Sequence, residues 1–267
     1  MLHVIQFSPT GGTARVAGIM ADALIAAGAE SGAAHRIDLM DRMHDFAAEP
    51  IAQNDLCIIA VPSYGGRVPA PAAQRLANLA GNGAKAVLVA VFGNRAIDDT
   101  LVELKDITCA AGFTCIAAAE AVAEHSLMRR YGTGRPDADD EKDLRAFAGR
   151  IAGTLRSGSG SAPVTVPGNR PYREYGGVPL KPKASKACTG CGKCARICPV
   201  GTIDPDTPRS TDTDACISCM ACVSACPLHA RSCNRLMANV AAFKMRKACS
   251  GRKENKLYLQ HSLECGP

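Results

Sequence analysis

Between Cys188 and Pro227 the chain reads C-T-G-C-G-K-C-A-R-I-C-P and, further on, C-I-S-C-M-A-C-V-S-A-C-P. Each copy is Cys-x2-Cys-x2-Cys-x3-Cys-Pro, and together they hold eight of the fourteen cysteines. Thiolates at i, i+3 and i+6 of one looping segment can occupy three corners of an iron–sulfur cubane, with the fourth supplied by the other copy. This assigns Cys188, Cys191, Cys194 and Cys226 to one [4Fe-4S] cluster, and Cys216, Cys219, Cys222 and Cys198 to a second. Zinc is the competing chemistry for Cys-x2-Cys pairs. It closes a tetrahedron with two such pairs or with His, and leaves a third Cys at i+6 without a role. Disulfides fit poorly as well. The chain opens M-L-H-V-I-Q-F, without basic n-region, apolar h-region or cleavage site, so a cytoplasmic setting with reduced thiols is expected.

A second candidate is Ser8-Pro-Thr10-Gly11-Gly12-Thr13, between an apolar run and a helical pattern. A strand, a hydroxyl- and Gly-rich turn and a helix N-terminus make an anion site, because free N–H groups and the helix dipole point at the ligand. There is no Lys, so this is not a nucleoside-triphosphate loop, and it is not Gly-x-Gly-x-x-Gly either. It suits one terminal phosphate. The plainer reading is a Ser/Thr cap with glycines for a tight turn.

The elements that would position these residues alternate. His3–Phe7, His35–Leu39, Leu56–Val61, Val87–Phe92 and Thr114–Ala118 read as strands. A helical face through Val16, Met20 and Leu24, and stretches at Pro71–Leu79, Thr100–Ala110 and Asp140–Leu155, read as helices. Such alternation implies an α/β fold with a parallel sheet and ligands at the carboxyl ends of the strands. S-G-S-G-S-A-P-V-T-V-P-G-N-R-P then reads as a flexible linker. The expected division is a first domain at 1–156, a linker at 157–178, a cysteine domain at 179–232 and a basic, partly helical tail at 233–267.

The cysteine stretch resembles bacterial two-cluster ferredoxins, which implies a small α+β ferredoxin-like domain. The first domain resembles flavodoxins, whose FMN-phosphate loop has the form Ser/Thr-x-Thr-Gly-x-Thr. Ser8, Thr10, Gly11 and Thr13 match it, with Gly12 between. That resemblance implies a doubly wound five-stranded parallel sheet of order 2-1-3-4-5. It also implies that V-P-S-Y-G-G-R and F-G-N-R lie around the isoalloxazine ring. Pro62, Ser63, Tyr64, Gly65 and Gly66 would form one side, with Tyr64 stacking. Phe92, Gly93, Asn94 and Arg95 would line the other edge. Arg67 and Arg95 stand where acidic flavodoxins carry carboxylates, which implies a fully reduced flavin less destabilised than theirs. The loop at Glu124-His125-Ser126 would overhang the ring, where His125 could position or protonate a substrate or simply pack between domains. This loop and the basic tail resemble flavodoxin–ferredoxin fusion proteins of anaerobes.

Charge is divided unevenly. Residues 1–155 carry 14 basic and 18 acidic side chains, and 156–267 carry 17 and 7. Clusters with four thiolates are anionic, so part of the excess is their counter-charge, and nucleic acid is not expected as a partner. No apolar run is long enough to span a membrane. FMN with two clusters implies an electron-transfer protein exchanging with a ferredoxin-type donor or an acceptor oxidoreductase. The alternative is an FMN-dependent reductase of a small quinone-like acceptor. Cys57 and Cys115 fall in strand patterns, while Cys109, Cys233, Cys249 and Cys265 have no ligand spacing.

Overall fold

The computed structural model describes residues 1–158 and 164–259, so Cys265 lies outside the described residues. Four largely apolar runs and the polar edge segment His35–Asp38 form the parallel strands β1 (Leu2–Gln6), β2 (His35–Asp38), β3 (Leu56–Pro62), β4 (Lys85–Phe92) and β5 (Thr114–Val122). Their order is β2-β1-β3-β4-β5, as the flavodoxin resemblance implies. The helices are α1 (Gly12–Ala26), α2 (Ala70–Ala77), α3 (Thr100–Ala110) and α4 (Ala138–Arg156). Strand residues alternate between two cores. Val4, Ile58, Ala60 and Val89 pack with Val16, Met20, Leu144 and Ile151 of α1 and α4. Ile5, Ile59, Val61 and Leu88 pack with Leu76, Leu101 and Leu104 of α2 and α3. Helices cover both faces, so β3 and β4 are apolar along almost their whole length instead of alternating with polar residues.

The cysteine segment is small. It contains an antiparallel pair, β6 (Lys183–Ala184) with β7 (Arg231–Ser232), and two single-turn helices, α5 (Lys193–Arg196) and α6 (Ala221–Ser224). Beyond it run α7 (Arg235–Cys249) and β8 (Lys256–Leu259). β8 is a finding that the sequence reading missed. It joins the edge of β5 antiparallel, Leu257 opposite Ala119, and makes the sheet six-stranded. The helical pattern expected around Leu236, Val240 and Phe243 is present, but that stripe faces outward, with Leu236 74% and Phe243 73% exposed. Ala242 and Cys249 are the buried residues of α7.

From Val164 onward the expected flexible linker is instead a packed strap. Val164 N–H donates to the Cys115 carbonyl at 2.8 Å. The Asp99 carboxylate accepts from Asn169 N and Arg173 N, each at 2.8 Å. Arg170 pairs with Asp106, and Gly168 lies so close to Val102 that a Cβ would come within 2.3 Å of it.

The tail is fastened by one buried centre. Asp140 is fully buried at the start of α4, where it forms a capping box with Asp137. Its carboxylate accepts from Arg135 Nε at 2.7 Å and Asn255 Nδ2 at 2.9 Å, and pairs with Arg252 at 3.3 Å. Arg135 Nη1 also donates to the Lys253 carbonyl at 2.7 Å.

Backbone donation from Arg173 and then Asn169 holds the Asp99 carboxyl below its ordinary value. Its contribution is therefore complete above about pH 4 and is lost as pH falls through the lowered folded value. Asp99→Ala is expected to free the strap at a cost of about 1–3 kcal/mol. Faster protease cleavage between Val164 and Pro182 should report it, and unchanged cleavage would show that other contacts hold the strap.

Candidate functional site

The Ser8–Thr13 turn leaves β1 and enters α1 directly. Gly11 is the N-cap at φ 89°, in the left-handed region that glycine adopts most readily, and no side chain caps the helix. Ser8 Oγ accepts from Ala14 N at 2.9 Å. The N–H groups of Gly11, Gly12 and Thr13 find no acceptor among the described residues, and the first turn of α1 carries no acidic side chain. Outward N–H groups at the start of a 15-residue helix fit a phosphate.

Next to this turn is a cavity of about 980 Å³, measured to include its open mouth. Its floor is the carboxyl edge of the sheet: Pro62, Ser63, Tyr64 and Gly65 after β3, Phe92, Gly93 and Arg95 after β4, and Ala123 to Met128 after β5. Thr10, Gly12 and Thr13 line one end. The roof consists of residues that the sequence reading did not single out: Tyr175 and Val178 of the strap, Ile217 and Ser218 between cysteines, and Met245 of α7. Tyr175 sits on Gly65, where any Cβ would meet its ring at 2.1 Å. A tyrosine in a Pro/Gly-rich stretch of a chain with only five was the available signal.

Several expected cofactor contacts do not border the cavity. Ser8, Gly11, Gly66 and Asn94 do not line the cavity. Asn94 Nδ2 donates to the carbonyls of Cys249 and Gly251, each at 2.8 Å, and its Oδ1 accepts from Lys253 N, so this side chain binds the tail. Arg67 is bidentate to Glu103 and donates to the Arg173 carbonyl at 2.8 Å. Arg95 does line the cavity but is paired with Asp98. The expected excess of positive charge at the ring is therefore corrected: one arginine is absent from the cavity and the other is neutralised.

His125 packs on Gly93 and lines the cavity. Its Nδ1 accepts from Leu127 N at 3.2 Å and Met128 N at 3.3 Å, which leaves the proton on Nε2. Burial first, and Arg95 second, push its pKa down to about 4. The ring is neutral at pH 7. It can donate a hydrogen bond but carries no extra proton to give.

The two cysteine sets converge as their spacing requires. Cys188, Cys191, Cys194 and Cys226 surround one small cavity, and Cys198, Cys216, Cys219 and Cys222 surround another. The fourth cysteine of each set comes from the other copy. Gly192 at φ 69° and Met220 at φ 65° cap α5 and α6, turning each loop around its site. A cubane would spread its thiolates over four irons. Arg231 supplies a further test of fit. It is 98% buried, and no carboxylate pairs with it among the described residues. Nη1 donates to Cys194 Sγ at 3.7 Å and the Pro208 carbonyl at 2.7 Å, while Nε has no partner. A buried cation without a counter-ion is costly, and an anionic cluster beside it offsets that cost.

The second set adjoins the larger cavity. Ile217 lines both, and Tyr64 Oη lies 3.5 Å from the Cys219 carbonyl. The first set shares no lining residue with it and reaches the surface at the exposed Cys191.

Residues 182–231 match the family model described as a 4Fe-4S dicluster domain. This segment is a 4Fe-4S domain. With the flavodoxin-like sheet before it, the chain fits a flavodoxin–ferredoxin fusion. No curated protein matches the chain. Similar solved structures include two-electron reduced Megasphaera elsdenii flavodoxin, 22% identical over 56% of this chain and 99% of that one, TM-score 0.40. An archaeal flavodoxin is 12% identical over 58% and 99%, TM-score 0.41. The Flv1 flavodiiron core of Synechocystis is 17% identical over 59% of this chain, TM-score 0.42, and the match spans only 36% of that longer chain.

Arg231→Gln is expected to lower the reduction potential of a cluster held by the Cys194 set, because a positive charge that would favour its reduced form is lost. A redox titration followed by electron paramagnetic resonance reads it. An unchanged potential would mean that Arg231 is neutralised within the fold.

Proposed function

We infer that the chain holds FMN in the large cavity and two [4Fe-4S] clusters at the cysteine sets, and passes low-potential electrons between them. Ser8, Thr10, Gly11, Gly12 and Thr13 would receive the phosphate through backbone N–H groups and hydroxyls. Pro62 to Gly65, Phe92, Gly93 and Arg95 would border the ring, with Tyr64 and the Tyr175 side chain as its aromatic neighbours. Bound there, FMN would take up two electrons, singly or together, while each cluster carries one, so the combination couples one- and two-electron chemistry.

The observation that carries this reading is the shared wall. Ile217 belongs to both the cavity and the Cys216 set, and the Tyr64 hydroxyl meets the backbone of Cys219. Burial holds the Tyr64 phenol well above its ordinary range, so it stays neutral between the two sites. The set of Cys198, Cys216, Cys219 and Cys222 is then the proximal relay, and that of Cys188, Cys191, Cys194 and Cys226 the distal one. Tyr175 and Val178 of the strap and Met245 of α7 line the cavity on the side of this junction.

A second reading rests on His125. A neutral imidazole with its free N–H toward the cavity can hold the carbonyl of a small quinone-like acceptor, which supports an FMN-dependent reductase fed by the clusters.

Anaerobic purification should yield about eight iron, about eight sulfide and one FMN per chain. Cys219→Ala should lose about half of the iron and slow reduction of the flavin from the distal cluster at least tenfold. Rapid-mixing absorbance would measure this. Zinc in place of iron, no FMN, or an undiminished rate would overturn the assignment.

A further inference from the structure

The distal cysteine site carries exposed cations at its rim, while the acidic residues of this region, Asp204, Asp206, Asp212 and Asp214, are confined to the stretch between the two cysteine motifs. Arg196 Nη1 donates to the Cys191 carbonyl at 3.4 Å, and Arg209 Nη2 to the Cys188 carbonyl at 2.6 Å. Both side chains belong to exposed residues and are anchored on the backbone of the ligands themselves. Lys193 and Leu228 line the site and are exposed, Leu228 by 50%. Lys186 is exposed in the turn that Ser185 and Cys188 close just before the motif. From Gly176 to Ile203, and from Ala215 to Lys253, the chain has no Asp or Glu. None of these four cations has a carboxylate partner among the described residues.

The counter-charge explanation does not cover them. A cluster is compensated by charge buried against it, and Arg231 occupies that place. Lys186, Lys193, Arg196 and Arg209 point their charge into solvent around the one exposed cluster ligand, Cys191. Cations at an exposed rim act chiefly on encounter, steering an oppositely charged partner and setting its orientation. Leu228 adds the apolar contact that the core of a small transient interface uses. The proximal site is walled by the cavity, with Cys198, Cys219 and Cys222 buried, and offers no comparable opening.

We propose that this face is the docking surface for an acidic, one-electron redox protein, which exchanges electrons with the chain through the distal cluster. The proposal rests on the cluster assignment above. In the step itself the reduced carrier loses one electron and the distal cluster gains it. No bond forms or breaks and no proton moves. Two such encounters supply the pair of electrons that the flavin takes up.

The test uses the full chain with its clusters and a strongly acidic bacterial two-cluster ferredoxin as the probe, reduced beforehand. Photoreduced deazariboflavin, a small neutral reductant, serves as the reference, and the readout is the ratio of the two second-order rates. That ratio should fall at least tenfold between ~20 mM and ~500 mM salt, because exposed charges are screened beyond a Debye length. Lys186→Glu combined with Lys193→Glu should lower it at least tenfold at low salt and converge with the parent at high salt. Arg196→Gln should lower it less. A ratio indifferent to salt and to both variants overturns the proposal. So does a face that retains duplex DNA while carrier rates ignore its charge, since it would then belong to a nucleic acid. Iron counts on each variant separate these outcomes from cluster loss, and a parent chain without iron would sink the cluster assignment itself.

Discussion

The Asp140 carboxylate, fully buried and surrounded by Arg135, Asn255 and Arg252, is the interaction on which the joined architecture depends. Removing one partner of such a buried pair typically costs about 3–5 kcal/mol, because the remaining charge stays desolvated. Here the centre joins three places: Asp140 at the start of α4, Arg135 in the loop after β5, and Asn255 and Arg252 in the C-terminal segment. One centre therefore caps a helix of the sheet domain and pins the tail that follows the cysteine segment. The pinned tail delivers β8 to the sheet edge and α7 to the roof of the cavity.

The cysteine segment is consequently held from both sides. Before it, the strap is fastened on Asp99 and Asp106, and after it the tail is fastened on Asn94 and Asp140. A segment of about 50 residues with a few small apolar residues in its core would be marginal alone. Two anchors restrict its freedom without enlarging its core. They also fix Ile217 and Cys219 against Tyr64, which a mobile tether would not do.

Charge is spent in two different ways within this segment. Arg231 is buried beside Cys194, where low dielectric makes a single cation strong. The exposed cations around Cys191 act in water, where salt weakens them and their effect is on encounter. The cavity follows the same economy, since Arg67 and Arg95 are committed to Glu103 and Asp98. Any ring bound there would feel dipoles and hydrogen bonds more than net charge.

What the sequence alone determined was local. Covalent spacing limits where thiolates a few residues apart can go, so the grouping of eight cysteines into two sets, each completed by a cysteine of the other copy, was legible. The Ser8–Thr13 turn and the alternation of strands and helices were legible for the same reason, because turn chemistry and apolar periodicity act over a few residues, whereas the β2-β1-β3-β4-β5 order came from the flavodoxin resemblance. What only the tertiary structure decided was the choice of distant partners. Asn94 binds the tail 155 residues away, Arg67 takes Glu103, Tyr175 covers Gly65, and a Pro/Gly-rich stretch becomes a strap. A polar side chain is free to satisfy itself with any partner the fold brings near, and residue type does not encode which one. β8 went unseen because four residues without a clear alternation carry no signal until an unpaired edge at β5 gives them one.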